Sequence, residues 1–319
     1  MAGSKVNSNL VVSLGGNALL PPGGGGTLEE QYRITRATME HVVELIADGH
    51  RVLLTHGNGP IVGNILIRNE AAREIVPPMP LDICGADSQG GIGYMIQQTL
   101  RNLMVERGIE KPLGTVVTQV VVDIDDPAFQ NPTKPIGPFY SQDEAKRLSL
   151  EKGWRLVQDS GRGWRRVVPS PRPLEIVELD FIKSLYSHGN TVIAAGGGGI
   201  PVVRESSGNL RGVEAVIDKD RATTVLANAL GADGIVIVTA VGKVSLNFGT
   251  EHQQDLDVIS MGQAIEYLSE GHFPAGSMGP KMESAIDFLK SGGKFVLITS
   301  PGRLREALRG EDGTRITRD

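Results

Sequence analysis

Short apolar runs broken by glycine set the rhythm of this chain. Leu10-Val11-Val12-Ser13-Leu14 reads as a buried strand that breaks into Gly15-Gly16-Asn17, with a helix expected to follow. The segment Pro21 to Gly26 reads as a flexible connector. Thr27-Leu-Glu-Glu30 then forms a capping box for a helix carrying Ile34, Ala37, Val42, Leu45 and Ile46 toward one face, stopped at Gly49. Arg51 to Thr55 is a second strand; it ends in His56-Gly57-Asn58-Gly59-Pro60 and passes into a helix through Ile65 and Leu66. The prolines of Pro77 to Pro80 are read as ending that helix, and a long helix as running from Leu81 to about Arg107. Strand, glycine turn and helix in this alternation predict an α/β chain with a parallel sheet covered by helices.

The β-branched run Thr115 to Val122 reads as a central strand. From Asp123 to Pro173 the rhythm breaks into a proline-rich excursion, with a capped helix opening at Ser141 and both tryptophans, Trp154 and Trp164. It reads as a small subdomain inserted between core strands. Alternation then resumes. Glu175 to His188 is predicted as a helix closed by Gly189, and Thr191 to Ala195 as a strand ending in Gly196 to Gly199. Hairpin character surrounds Ser207-Gly208-Asn209. Asp218-Lys219-Asp220 opens a helix through Leu230, and Gly234 to Thr239 is a strand. Met261 to Glu270 is a helix, Gly276 to Lys281 starts another, and Phe295 to Thr299 is a late strand.

At 319 residues the chain can bury a large core. A net charge of −5 gives no bulk attraction to nucleic acid or anionic membrane. A lone cysteine, Cys84, excludes an internal disulfide framework and suits a reducing compartment. No apolar stretch is long enough to span a bilayer and the start shows no signal-peptide pattern, so a cytoplasmic protein is expected. The six histidines show no zinc spacing, and Asp123, Asp125 and Asp126 match no EF-hand loop; they read as caps and turns, and no protein-held metal is expected. Arg162, Arg165 and Arg166 flank Trp164 like a nucleic-acid patch, but the run is short, and contacts within the protein or between subunits are preferred.

Neither G-x-x-x-x-G-K-[ST] nor G-x-G-x-x-G occurs, which disfavours the common nucleotide folds. Instead, three glycine turns each follow directly on a predicted strand: Gly15-Gly16, Gly57-Asn58-Gly59 and Gly196 to Gly199. One such turn is most simply a connector. Three of them gather main-chain N–H groups on one edge of a sheet, which suits anionic substrate oxygens. Asp218-Lys219-Asp220 at a helix start reads either as a cap with a surface lysine or as a lysine clamping a transferring phosphoryl group, placed by Asp218. Lys281 in a first helical turn opposes the helix dipole, which favours an anionic partner. Prolines stiffen the loop around Lys134; composition alone leaves a surface role and a catalytic one open. His56 adjoins a glycine turn and is a candidate lining residue.

On these residues the chain resembles the carbamate kinases of the amino-acid-kinase superfamily. The stretches that carry the resemblance include Leu14-Gly-Gly-Asn-Ala18, His56-Gly-Asn-Gly-Pro60, Met79-Pro-Leu-Asp82 and Asn131-Pro-Thr-Lys-Pro-Ile-Gly-Pro-Phe139. Gly196-Gly-Gly-Gly-Ile-Pro-Val-Val203, Gly212 to Asp220 and Gly271 to Lys281 continue it over almost the whole chain. The proline-rich excursion is its most specific part. The resemblance implies a three-layer α/β/α sandwich on a mostly parallel sheet, a single domain over 1–319 with an inserted lid at about 123–173, and a homodimer. It places carbamate or carbamoyl phosphate on an N-terminal lobe, 1–190, and ATP or ADP with Mg²⁺ on a C-terminal lobe, 191–319. It implies reversible phosphoryl transfer between ATP and carbamate, run toward ATP in arginine or purine breakdown.

Carried over by residue, Gly15, Gly16, Asn17, Gly57, Asn58, Gly59 and Gly198 contact the carbamoyl phosphate. Lys219 and Lys281 neutralise the phosphates, Asp218 organises them, and Thr239, Ala240, Val241, Gly276, Ser277 and Met278 hold the nucleotide. Ser13 stands where wider relatives carry a first-strand lysine, and Lys134 on the lid replaces that charge. Two other readings stay open: a kinase of the same fold acting on another small acid or phosphate, and a non-catalytic ligand sensor.

Overall fold

The computed structural model describes residues 7–20, 26–159, 161–274 and 276–318, apart from the side chain of Asn17. The expected connector therefore lies outside the described residues except for Gly26. At the centre is an eight-stranded sheet. Its strands run, edge to edge, Val258–Ser260, Thr314–Thr317, Phe295–Thr299, Gly234–Val238, Asn9–Leu14, Arg51–His56, Thr191–Ile193 and Leu113–Thr115. All neighbours are parallel except the pair Phe295–Thr299 and Thr314–Thr317.

The period-two alternation of these strands builds two cores. Leu10, Val12 and Leu14 point to one face, joined by Val52, Leu54, Val236 and Val238; there they meet the helices Leu28–Ala47 and Leu81–Glu106. Val11, with Leu53, Ile235 and Ile237, points to the other face, against the helices Leu179–Ser187, Lys219–Leu230 and Met278–Lys290. A sheet buried on both faces needs apolar residues at nearly every position, as these strands have. The result is the three-layer α/β/α sandwich. Ser13 lies two residues after Val11 and Thr55 two after Leu53, so both polar side chains turn toward the helix Lys219–Leu230. Thr55 Oγ1 meets Thr223 Oγ1 at 2.7 Å.

The turn after Leu14 passes through one 3₁₀ turn, Gly16–Ala18, and the helix capped by Thr27 begins at Leu28, as expected. The structure corrects three local expectations. The helix Ile61–Ala71 has already ended before Pro77. The run Thr115 to Val122 is two strands: Leu113–Thr115 at the edge of the main sheet, and Gln119–Val122 in a separate four-stranded sheet. The break is at Thr118, whose N–H donates to Gln89 Oε1 and whose carbonyl accepts from Gln89 Nε2, at 2.9 and 3.0 Å. A buried side-chain amide there takes the Thr118 N–H and shares the Thr118 carbonyl with the Ile200 N–H of the neighbouring strand, at 2.9 Å. Finally, Pro173–Ile176 pairs with Gln119–Val122 as a strand, and the helix expected from Glu175 starts at Leu179.

The proline-rich excursion is a three-stranded sheet of Lys134–Tyr140, Trp164–Val168 and Leu156–Gln158, with the capped helix Gln142–Lys152. It rests on the helix Ile61–Ala71. A Cβ on Gly63 would stand 2.9 Å from Gly137 Cα, so only glycine lets the two backbones approach this closely. Lys152 pairs with Glu70 across the same seam.

Candidate active site

The carboxyl ends of the parallel strands meet along one edge of the sheet, the usual place for a ligand in an open α/β fold. The insertion overhangs this edge and closes a cleft of about 710 Å³. Gly16, Gly57, Asn58 and Gly59 line it from the first two strands; Lys134 comes from the insertion; Asp218, Lys219, Asp220, Gly276, Ser277 and Lys281 come from the second half. Widely separated lysines thus share one cavity.

The charged groups form a chain of contacts. Asp218 caps the helix Lys219–Leu230: its Oδ1 accepts the Asp220 N–H at 3.0 Å, and its Oδ2 accepts from Lys134 Nζ at 2.8 Å. Asp220 is the buried centre. Its Oδ1 accepts from Lys219 Nζ at 2.5 Å and from Ser13 Oγ at 3.2 Å, and its Oδ2 accepts from Lys281 Nζ at 3.1 Å. Lys219 Nζ also donates to Ser13 Oγ at 2.9 Å. Burial disfavours every charge here. It drives the Lys219 ammonium below its ordinary value. The Asp220 carboxyl is driven the other way by burial, but Lys219 and Lys281 overcome this and hold it far below the usual carboxylate range. Asp218 is likewise held low, Lys134 offsetting its burial. Three lysines and two aspartates thus form one hydrogen-bonded network at the cleft, a set of donors suited to neutralising an arriving anion.

The sequence points to Asp218 as the residue that places the lysines; in the structure Asp218 takes Lys134, while Lys219 and Lys281 belong to Asp220. Two aspartates cannot both be the N-cap, and that surplus carboxylate was the available signal.

The glycine turns contribute unequally. The N–H of Gly15 donates to Val238 O at 2.8 Å, that of Gly57 to Leu14 O at 3.0 Å, and that of Gly198 to Ala195 O at 3.1 Å. These three amides are committed to the fold, and Gly198 does not line the cleft; Gly197 does. Gly15 is required by space, since a Cβ would stand 2.7 Å from Val238 O. The N–H groups of Gly16, Asn58 and Gly59 make no hydrogen bond among the described residues and border the cleft. The backbone of Asn17 lies in the same 3₁₀ turn; its side chain is outside the described residues. Asn58 is held from behind by Ser88, whose Oγ donates to Asn58 Oδ1 at 2.7 Å. His56 is fully buried below the turns. Its Nδ1–H donates to Gly57 O at 3.1 Å, and burial pushes its imidazole down to about 4, so it is neutral.

A second cavity of about 210 Å³ adjoins the cleft. Thr239, Ala240, Val241, Met278 and the rings of Phe248 and Phe273 line it, and Ser277 and Lys281 border both spaces. Of the residues expected at a nucleotide, Gly276 lines the larger cleft and the other five gather here or at the junction. A mainly apolar recess opening onto a lysine-rich cleft accommodates a flat ring with an attached anionic chain.

Comparisons with known proteins bear on the family and the fold. A model of the amino acid kinase family matches residues 9–300. The carbamate kinase of Pyrococcus horikoshii is 50% identical, with 97% of this chain and 98% of that protein covered. A carbamate kinase-like protein of Escherichia coli is 48% identical, covering 98% and 99%. Among solved structures, carbamate kinase from Giardia lamblia bound to AMP-PNP superposes with a TM-score of 0.92 at 43% identity, over 99% of this chain and 100% of that one.

Proposed function

Because the chain belongs to the amino acid kinase family, we propose that it is a carbamate kinase, moving a phosphoryl group between ATP and carbamate. The observation that carries this reading is the convergence of Lys134, Lys219 and Lys281 on two aspartates in one cleft beside a nucleotide-sized recess. Phosphoryl transfer demands positioning and charge neutralisation more than covalent help from the protein. Lys219 and Lys281, fixed by Asp220, neutralise charge on the migrating group and the nucleotide phosphates. The free amides of Gly16, Asn58 and Gly59 orient the carbamoyl phosphate oxygens. Lys134, brought by the insertion, adds the third positive charge when the lid sits down over the substrate, and excludes water from the transfer.

In this reading the first 190 residues supply the carbamate side and residues 191–319 the nucleotide side. Magnesium would enter with the nucleotide, held by its phosphate oxygens, and would supply further neutralisation of phosphate charge; both oxygens of Asp218 already have partners, the Asp220 N–H and Lys134. The catabolic direction, toward ATP in arginine or purine breakdown, and a cytoplasmic setting complete the proposal. No helix among the described residues is long and apolar enough to cross a membrane. A homodimer is supported by the exposed Ile83, Tyr94 and Val105 along the long helix Leu81–Glu106, where Gly90 and Gly91 leave open space.

The deciding experiment is a coupled assay with carbamoyl phosphate and ADP, read as ATP formed. ATP production that depends on both substrates supports the reading. A folded protein that yields none overturns it, in favour of a different small-acid substrate or a ligand sensor.

A further inference from the structure

At the opposite edge of the sheet, where the parallel strands begin, lies a second polar cavity of about 540 Å³. One strand length, roughly 20 Å, separates it from the catalytic edge. Its walls carry four cations, Lys294, Arg305, Arg309 and Arg315, and two carboxylates, Asp48 and Asp233. Both carboxylates are engaged. Asp233 takes Lys294 at 2.6 Å and the Asn9 N–H at 2.7 Å; Asp48 takes Arg305 at 3.2 and 3.4 Å.

Arg315 is different. Its guanidinium lies 4.1 Å above the centre of the Phe295 ring. Among the described residues it makes no ion pair and no side-chain hydrogen bond, although it is half-buried. Burial depresses its proton affinity, with no carboxylate acting against that. An arginine stays charged in protein surroundings, so a half-buried, unpaired guanidinium is costly to hold. Stacking uses the face of the guanidinium and leaves the N–H groups of its edge, a fork suited to a carboxylate or a phosphate.

We propose that this cavity is a binding site for a small oxyanion-bearing metabolite, with Arg315 as its principal ligand and Arg309 at its rim. Nothing in the phosphoryl-transfer site uses these residues, so the proposal stands apart from the reading of the catalytic cleft. Charge balance favours an anion: four cationic side chains face two carboxylates that each already have a partner. The phosphate and carboxylate forms of such a ligand share this chemistry and are told apart by probe.

The test is hydrogen-exchange mass spectrometry on the full chain, without magnesium, with pyrophosphate in one arm and succinate in the other. At least one probe is expected to slow exchange twofold or more in peptides spanning 293–309 and 311–318. Arg315→Gln should abolish that slowing, while the peptide containing Gly57 to Pro60 responds as in the parent protein. Should Arg315→Gln not fold, Arg309→Gln, which alters an exposed side chain, is expected to reduce the slowing. Slowing confined to the catalytic loops, or unchanged by the substitution that folds, overturns the proposal.

Discussion

Asp220→Asn tests whether one buried carboxylate holds the active site together. The side chain is 3% exposed, and its two lysine partners are only 13% and 15% exposed. Asparagine keeps the shape and removes the charge. Lys219 and Lys281 would then face each other, no more than roughly 8 Å apart, a repulsion of about 2 kcal/mol at an effective dielectric near 20. Each also loses its buried counter-charge, and removing one partner of a buried pair costs on the order of 3–5 kcal/mol. Urea unfolding at pH 7 should therefore show a loss of about 3–5 kcal/mol, with turnover down by about 100-fold or more as the lysines lose their fixed positions.

The loss should also depend on pH. Burial already holds Lys219 below its unfolded value in the native state. Without Asp220 that depression deepens, so the unfolded chain binds more protons than the native one over a wider window below about 10.5. Stability of the variant therefore climbs with pH relative to the parent, and the deficit measured at pH 9.5 should be smaller than at pH 7. Lys281→Met placed on top of Asp220→Asn removes one of the two repelling charges and should restore part of the stability, a coupling that a double-mutant cycle reads directly. A loss under about 1 kcal/mol, or one that is the same at every pH, refutes the account.

Lys134→Ala removes a cation that is one-third exposed and, among the described residues, paired with Asp218 alone; the melting temperature should stay close to that of the parent while kcat falls by several orders, and near-normal turnover would remove the insertion from the chemistry. His56 predicts an acid limit. Its native value near 4 lies below the unfolded 6.5, so stability drains away as pH falls through that interval, by about 3 kcal/mol in all. His56→Gln should unfold with a flatter pH dependence between 6.5 and 4, measured by denaturant titration; an unaltered slope would show that other groups set the acid limit.

Much of the molecule is determined by local sequence. Gly and Pro positions, capping boxes at Thr27 and Ser141, and apolar alternation depend on neighbours a few residues apart, and they place most strands and helices. Lys219 and Lys281 stand out at helix starts before any fold is known, whereas the local sequence of Lys134 leaves its role open and only the resemblance of its proline-rich segment singles it out. Tertiary structure decided the rest, since it turns on partners distant in the chain. Whether the run Thr115 to Val122 is one strand or two depends on the amide of Gln89. Which glycine amides remain free depends on carbonyls such as Val238 O and Leu14 O. Asp220 becomes the keystone only when the alternation of the first strand turns Ser13 to its side and the helix Met278–Lys290 delivers Lys281. A carboxylate's role is set by the charges that surround it, and only folding brings those charges together.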